Sequence, residues 1–228
     1  VITNRLKRHL YWAGGRSPAQ GQQGLTLIEC LVAIIVVGLV SSAIAPALVI
    51  SVATRVQSQK AEQALELAQS EIDRVRLLVE RAEANDGNLP PSTPINGANP
   101  DSRVAEVAGP TYGAPVAAPT TAFQTRAASL NGNQFAVQTY RTPGRFVGSV
   151  PVTFGMGVRV YDYEAVLNGS GNLDKVPAAL RMVDGAGQRG RRPLVALYTN
   201  VTVGDGASSL CQYIKHLDNA ASVPTGCN

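Results

Sequence analysis

Charge, cysteine and histidine are all scarce in this 228-residue chain, and each shortage removes a class of function. Only 16% of residues are charged against 45% apolar, and the charges are unevenly placed, since residues 30–54 carry none. So much apolar residue excludes disorder throughout, and its concentration in one run disfavours a cytosolic multidomain enzyme. The length suits one membrane-length helix and one compact domain. The two histidines, His9 and His216, have no carboxylate or cysteine arrangement that would make a base or a metal ligand. No catalytic residue, cofactor or metal is expected, and no enzymatic activity. Asp162, Glu164 and Asp174 lie near a glycine-rich turn, but their spacing matches no calcium loop.

Three cysteines are too few for a disulfide-dense scaffold. Cys30 lies in the apolar run, whereas Cys211 and Cys227 flank a polar C-terminal stretch. If that stretch is outside the cytoplasm, pairing the two is the economical reading, and closing the loop would stabilise by roughly 3 kcal/mol. Two unpaired thiols on a tail are the alternative.

What the chain does have is a polarised N-terminal region. Residues 1–24 contain Arg5, Lys7, Arg8 and Arg16 and no acid, while the remaining 204 residues hold 16 basic and 16 acidic side chains. The net charge of +4 therefore belongs to a short basic leader, and no nucleic-acid partner is expected. An ordinary secretory signal is cut after its apolar stretch. Ala43-Ile44-Ala45 offers such a site, but Pro46 follows it immediately and the apolar run is overlong. Here the polar Gly21-Gln22-Gln23-Gly24 precedes Leu25-Thr26-Leu27-Ile28-Glu29, so a cut at Gly24 would leave the whole apolar run on the mature chain.

Gly24 followed by Leu25-Thr26-Leu27-Ile28-Glu29 resembles the processing site of type IV prepilins and of the pseudopilins of type II secretion. The resemblance implies cleavage after Gly24 by a prepilin peptidase that also methylates the new terminus at Leu25, where the family more often has Phe or Met. It implies as partners that peptidase/methyltransferase, other pilin or pseudopilin subunits, an inner-membrane assembly platform and the lipid bilayer. A carboxylate in a membrane helix costs a few kcal/mol toward the bilayer centre, so Glu29 needs a partner or a place at the interface. The Leu25 amine of an incoming subunit would supply that partner, giving Glu29 a role in subunit assembly. Alternatively, Glu29 is only a first-turn acid favoured by the helix dipole.

Residues 30–54 are long enough to cross roughly 30 Å of hydrocarbon at about 1.5 Å per residue. The basic residues before them put the leader in the cytoplasm and the domain across the membrane. Pro46 removes one backbone donor and should kink or loosen the helix, as a proline near this distance is thought to do in pilins. From Thr54 the pattern turns amphipathic: Val56, Ala61, Ala64, Leu65, Ala68, Ile72, Val75 and Val79 fall at three-four spacing. Surface pairs Glu71–Arg74 and Glu80–Arg76 are expected, and an end near Ala84, where Asn85-Asp86-Gly87 signals a stop. Leu25 to Ala84 would make a rod of roughly 90 Å.

Residues 87–125 hold seven of the fourteen prolines and three charges, and read as a connecting loop with irregular elements. Strand-like stretches follow at Gln134–Tyr140, Val150–Val166 and Leu194–Val203, the middle one long enough to bend at Gly155 or Gly157. Turns are marked at Pro143-Gly144, Asn168–Gly171 and Asp205-Gly206. Four antiparallel strands over the helix is the simplest arrangement, an α+β, type IV pilin-like fold. The organisation expected is a leader at 1–24, a transmembrane half-helix at 25–54, an amphipathic half-helix at 55–84, a connecting loop at 85–125 and a sheet domain with a terminal Cys loop at 126–228. Gly185–Gly190 matches G-x-G-x-x-G only formally, because Arg191-Arg192-Pro193 stands where a helix should open. Arg189, Arg191 and Arg192 are either a solvated loop or a contact for phosphate or polysaccharide.

Within the family, Glu29–Ala33, Ala53–Gln57 and Ala61–Leu65 resemble the cyanobacterial hormogonium polysaccharide secretion pseudopilins. That likeness implies a subunit serving polysaccharide secretion and gliding motility, first in the inner membrane with a periplasmic domain, then in a pilus or pseudopilus. Rival readings are a minor pilin of an adhesive, twitching or DNA-uptake pilus, and a membrane-tethered binding domain that never polymerises.

Overall fold

The computed structural model describes residues 26–93, 100–147, 150–169, 171–178 and 190–202, with Cys211, Ile214 and Cys227. The order is α1 (Leu27–Glu80), a 3-10 helix (Pro100–Glu106), β1 (Arg126–Leu130), β2 (Asn133–Arg141), β3 (Arg145–Val147), β4 (Val150–Asp162), α2 (Tyr163–Leu167) and β5 (Val195–Thr202). The chain divides into two compact units, one ending at Ile50 and the other beginning at Ser51.

In the second unit β4 is the spine of an antiparallel sheet. Thr153 pairs with Arg145 of β3 and Thr202 of β5, and Met156 with Arg141 of β2 and Thr199 of β5, so β2 and β3 share one edge of β4 and β5 takes the other. β1 adds to the far side of β2. Among the described residues there are thus five strands where four were expected, although the sheet is four strands wide because β3 continues the line of β2. The β1–β2 connection is Asn131-Gly132, both with left-handed φ (49° and 81°), the backbone that a two-residue hairpin with the sheet's own twist demands.

Strand alternation sends Phe135, Val137, Phe154, Met156, Val158, Val160 and Val201 to one face, where they enclose Ala64, Ala68, Ile72, Val75 and Val79 of α1. Burying each of the larger side chains contributes about 1.5–3 kcal/mol. Ala64 and Ala68 are fully buried against that face, so α1 itself contributes no more than a methyl group at these two positions. Polar contacts run beside this seam. Lys60 pairs with Asp162 at 2.7 Å, Asn133 donates to Gln63 at 2.7 Å, and buried Glu71 is held between Arg126 and Arg74. The long apolar helix on a small antiparallel sheet is the α+β, pilin-like arrangement read from the sequence.

Several details depart from that reading. α1 ends at Glu80 rather than near Ala84. Ala82 takes a left-handed φ of 56°, its N–H bonds Val79 O at 3.1 Å, and the Glu83 N–H bonds Leu78 O at 3.0 Å. That paired closure ends the helix before Asn85 is reached. Leu65 is 38% exposed and Val56 47%, so neither belongs to the buried stripe. Arg76 pairs with Asp73 at 3.7 Å instead of Glu80. The expected strand 150–166 stops at Asp162, whose carboxylate accepts from the Glu164 N–H and caps α2. β4 also runs through Gly155 and Gly157 without a hairpin. Gly157 is there because Tyr140 lies across it: a Cβ at this position would come within 2.4 Å of the Tyr140 ring. β1 and β3 were not foreseen.

Candidate membrane and assembly segment

The first unit begins at a helix cap. Thr26 precedes α1, and its hydroxyl and carbonyl oxygens accept from the Glu29 N–H at 3.3 and 3.0 Å, while its carbonyl also takes the Cys30 N–H at 3.2 Å. Thr26-Leu27-Ile28-Glu29 is a Thr-x-x-Glu capping sequence, with Thr26 at the cap and Glu29 three residues on, in the first turn where the helix dipole favours an anion. Sequence reasoning singled out Glu29 and missed Thr26. The signal was present in the spacing of these two residues just before an apolar run.

Every residue from Thr26 to Gln59 is exposed within the chain. Leu27, Ile34, Val37, Leu39, Leu48 and Val49 are 62–84% exposed, and the most apolar stretch of the helix has a mean hydropathy of 2.6 with none of it buried. Soluble monomers rarely present contiguous apolar surface beyond a few hundred Å². A helix that is apolar on all sides needs lipid or other helices around it, and this one is long enough to cross a bilayer.

Pro46 lies inside α1, and helical backbone continues on both sides. Its missing N–H leaves the Ser42 carbonyl without the usual partner four residues on. The Ser42 hydroxyl meanwhile bonds back to Leu39 O at 2.8 Å. The division between the two compact units falls between Ile50 and Ser51, about one turn beyond the proline.

Gly24 and Leu25 lie outside the described residues, as do the basic leader, residues 185–189 of the Gly185–Gly190 run, His9, His216 and the Asp205-Gly206 turn. Cys211 and Cys227 are joined by a disulfide with a Cα–Cα distance of 5.2 Å. The acids considered for calcium are occupied otherwise: Asp162 by Lys60 and the α2 cap, Asp174 by Arg192 at 3.7 Å. Among the described residues no three His, Cys, Asp or Glu side chains gather as a metal site would require.

Residues 20–45 match the family described as the prokaryotic N-terminal methylation motif, a stretch that takes in Gly24, Thr26, Glu29 and the first half of the apolar run. No curated protein and no solved structure matches the chain. The motif supports a type IV pilin-like subunit that is processed by a prepilin peptidase, anchored in a membrane and associated with other subunits. The family that carries this motif is one of structural subunits.

Proposed function

We propose that the chain is cut after Gly24, methylated at Leu25, held in the bacterial inner membrane by the apolar half of α1, and then stacked with other subunits into a pilus or pseudopilus. The observation that carries this reading is a capped apolar helix, exposed from its start to Gln59, that begins inside the stretch matching the methylation motif. In the membrane the helix is covered by lipid, and in a filament by other copies of the same surface. Glu29 gives that exchange a register. With the Leu25 amine of a neighbour beside it, its charge is neutralised in a low-dielectric setting where an unpaired carboxylate costs several kcal/mol. Pro46 and the orphaned Ser42 carbonyl make a weak point at which the helix adjusts as subunits pack. The basic leader stays cytoplasmic, the Ser51–Asn228 unit is periplasmic, and the disulfide between Cys211 and Cys227 suits that compartment. The assembled fibre serves polysaccharide export in support of gliding.

Two substitutions test the reading. Gly24→Ala should leave an unprocessed precursor carrying its leader, seen as the intact mass and the absence of N-methylleucine. Normal maturation would remove the peptidase from the account. Glu29→Ala should be processed normally yet fail to enter sheared filaments, measured as the ratio of filament to membrane protein. Wild type absent from filaments would instead favour a tethered, non-polymerising protein.

A further inference from the structure

A sheet with α1 on one face would leave its other face in water, but here that face is covered by chain. Ala136, Gln138, Tyr140, Arg159 and Tyr161 point away from α1 and are all fully buried. Over Gln138, Tyr140 and Arg159 lies the segment from the 3-10 helix to Thr125, contributing Val104, Val107 and Ala122 to a small cluster around Tyr140, while Ala136 and Tyr161 pack against Val166 and Leu173. Arg159 is the unusual member, a fully buried cation in the middle of the spine strand, with no carboxylate among its hydrogen-bond partners.

Its guanidinium is matched donor by donor. Nη2 donates to Ala105 O at 3.0 Å and Val107 O at 2.8 Å. Nη1 donates to Ala108 O at 3.1 Å and Gln138 Oε1 at 3.3 Å, and Nε donates to the Tyr198 hydroxyl at 3.1 Å. All five N–H groups of an arginine are thereby satisfied. Three of the acceptors are carbonyls at the end of the 3-10 helix and just beyond, where its partial negative charge gathers. Its Cζ lies 5.1 Å from the Tyr140 ring centroid and 5.6 Å from that of Tyr198, within cation–π range of both. Gln138 and Tyr140 add Nε2 to Ala122 O at 2.7 Å and the hydroxyl to Val104 O at 2.8 Å.

We propose that Arg159 is the clasp of a strap, residues 103–109, that opens and closes as a unit separate from the helix–sheet core. The core is held by a continuous apolar cluster, whereas 103–109 is fastened to the sheet by the bonds from Arg159, Gln138 and Tyr140 with Val104 and Val107 as its apolar anchors; residues 110–116, beyond it, are tied by backbone hydrogen bonds to Phe123, Thr125, Val166, Gly171 and Leu173. A segment fastened that way opens more readily than a packed core. Open, it uncovers the Tyr140, Arg159 and Tyr198 face of the sheet. Lysine cannot replace the clasp, because its three donors on one nitrogen cannot span carbonyls arranged around a planar fork.

The test is hydrogen exchange on the full-length protein in detergent, comparing wild type with Arg159→Lys. Exchange within 103–109 should rise by at least about tenfold, as expected for losing charge-assisted bonds, while 64–79 of α1 and 153–160 of β4 change by less than about twofold. An unchanged strap, or an equal rise in strap and core, overturns the proposal. Should Arg159→Lys not fold, Tyr140→Phe keeps the ring over Gly157 and deletes only the bond to Val104 O. A rise confined to 103–109 in that variant supports the strap, and no rise or a uniform one overturns it.

Discussion

Tyr140 lies beneath the strap and Tyr161 against Val166 and Leu173, and burial pushes both phenols well above their ordinary value, with the Arg159 charge offsetting part of the effect. Below about pH 10 both are protonated whether folded or unfolded, so they make stability no steeper in pH. Above it the unfolded phenols ionise while the folded ones stay neutral, and stability should fall by about 1.4 kcal/mol per pH unit for each. Absorbance at 295 nm should show at least two of the seven tyrosines un-ionised until the alkaline unfolding transition. Full ionisation with native circular dichroism retained would contradict their burial. At this scale legibility was uneven. Glu29 could be read because a lone acid beside an apolar run is a chemical anomaly in any fold. Arg159 could not, since an arginine alternating with Val158 and Val160 is also what a solvent-facing strand position looks like.

Among the elements, the water-side half of α1 was legible because its buried stripe repeats at the helical period. Which of its residues touch the sheet was less so: Ala64 and Ala68 are fully buried while Leu65, beside them, is 38% exposed. Ala68→Leu should therefore destabilise the Ser51–Asn228 unit by about 1–3 kcal/mol, since three extra carbons must fit into a cluster that already buries Ala68 completely. Leu65→Ala should cost less than about 0.5 kcal/mol beyond any change in helix propensity. Chemical denaturation of both variants decides it, and the reverse order would mean the stripe is rotated. The hairpin into β2 carried a signal in Asn131-Gly132, yet β1 itself, Arg126-Ala-Ala-Ser-Leu, lacks the β-branched and aromatic residues that mark a strand. Pairing with β2 makes it one. Likewise the last residues of the expected strand 150–166 become α2 because Asp162 turns from sheet to cap.

For the whole molecule, every residue of the buried clusters lies at or beyond Ala64. A chain beginning at Ser51 should consequently be soluble without detergent and keep the alkaline tyrosine transition of the full-length protein, while losing membrane association altogether. Size-exclusion chromatography with near-ultraviolet circular dichroism checks the first part and cell fractionation the second. Aggregation of the shortened chain would place part of its core before Ile50.

Sequence alone determined how the N-terminal end of this protein is read: an uncharged run of residues next to a basic leader, a glycine and one glutamate are properties of composition and order, which a membrane or a peptidase would meet without any fold. Tertiary structure alone decided what covers the second face of the sheet. Hydrogen bonds from a guanidinium to the carbonyls of Ala105, Val107 and Ala108 join groups roughly fifty residues apart. Backbone carbonyls carry no side-chain identity that a reading of residue types could recognise.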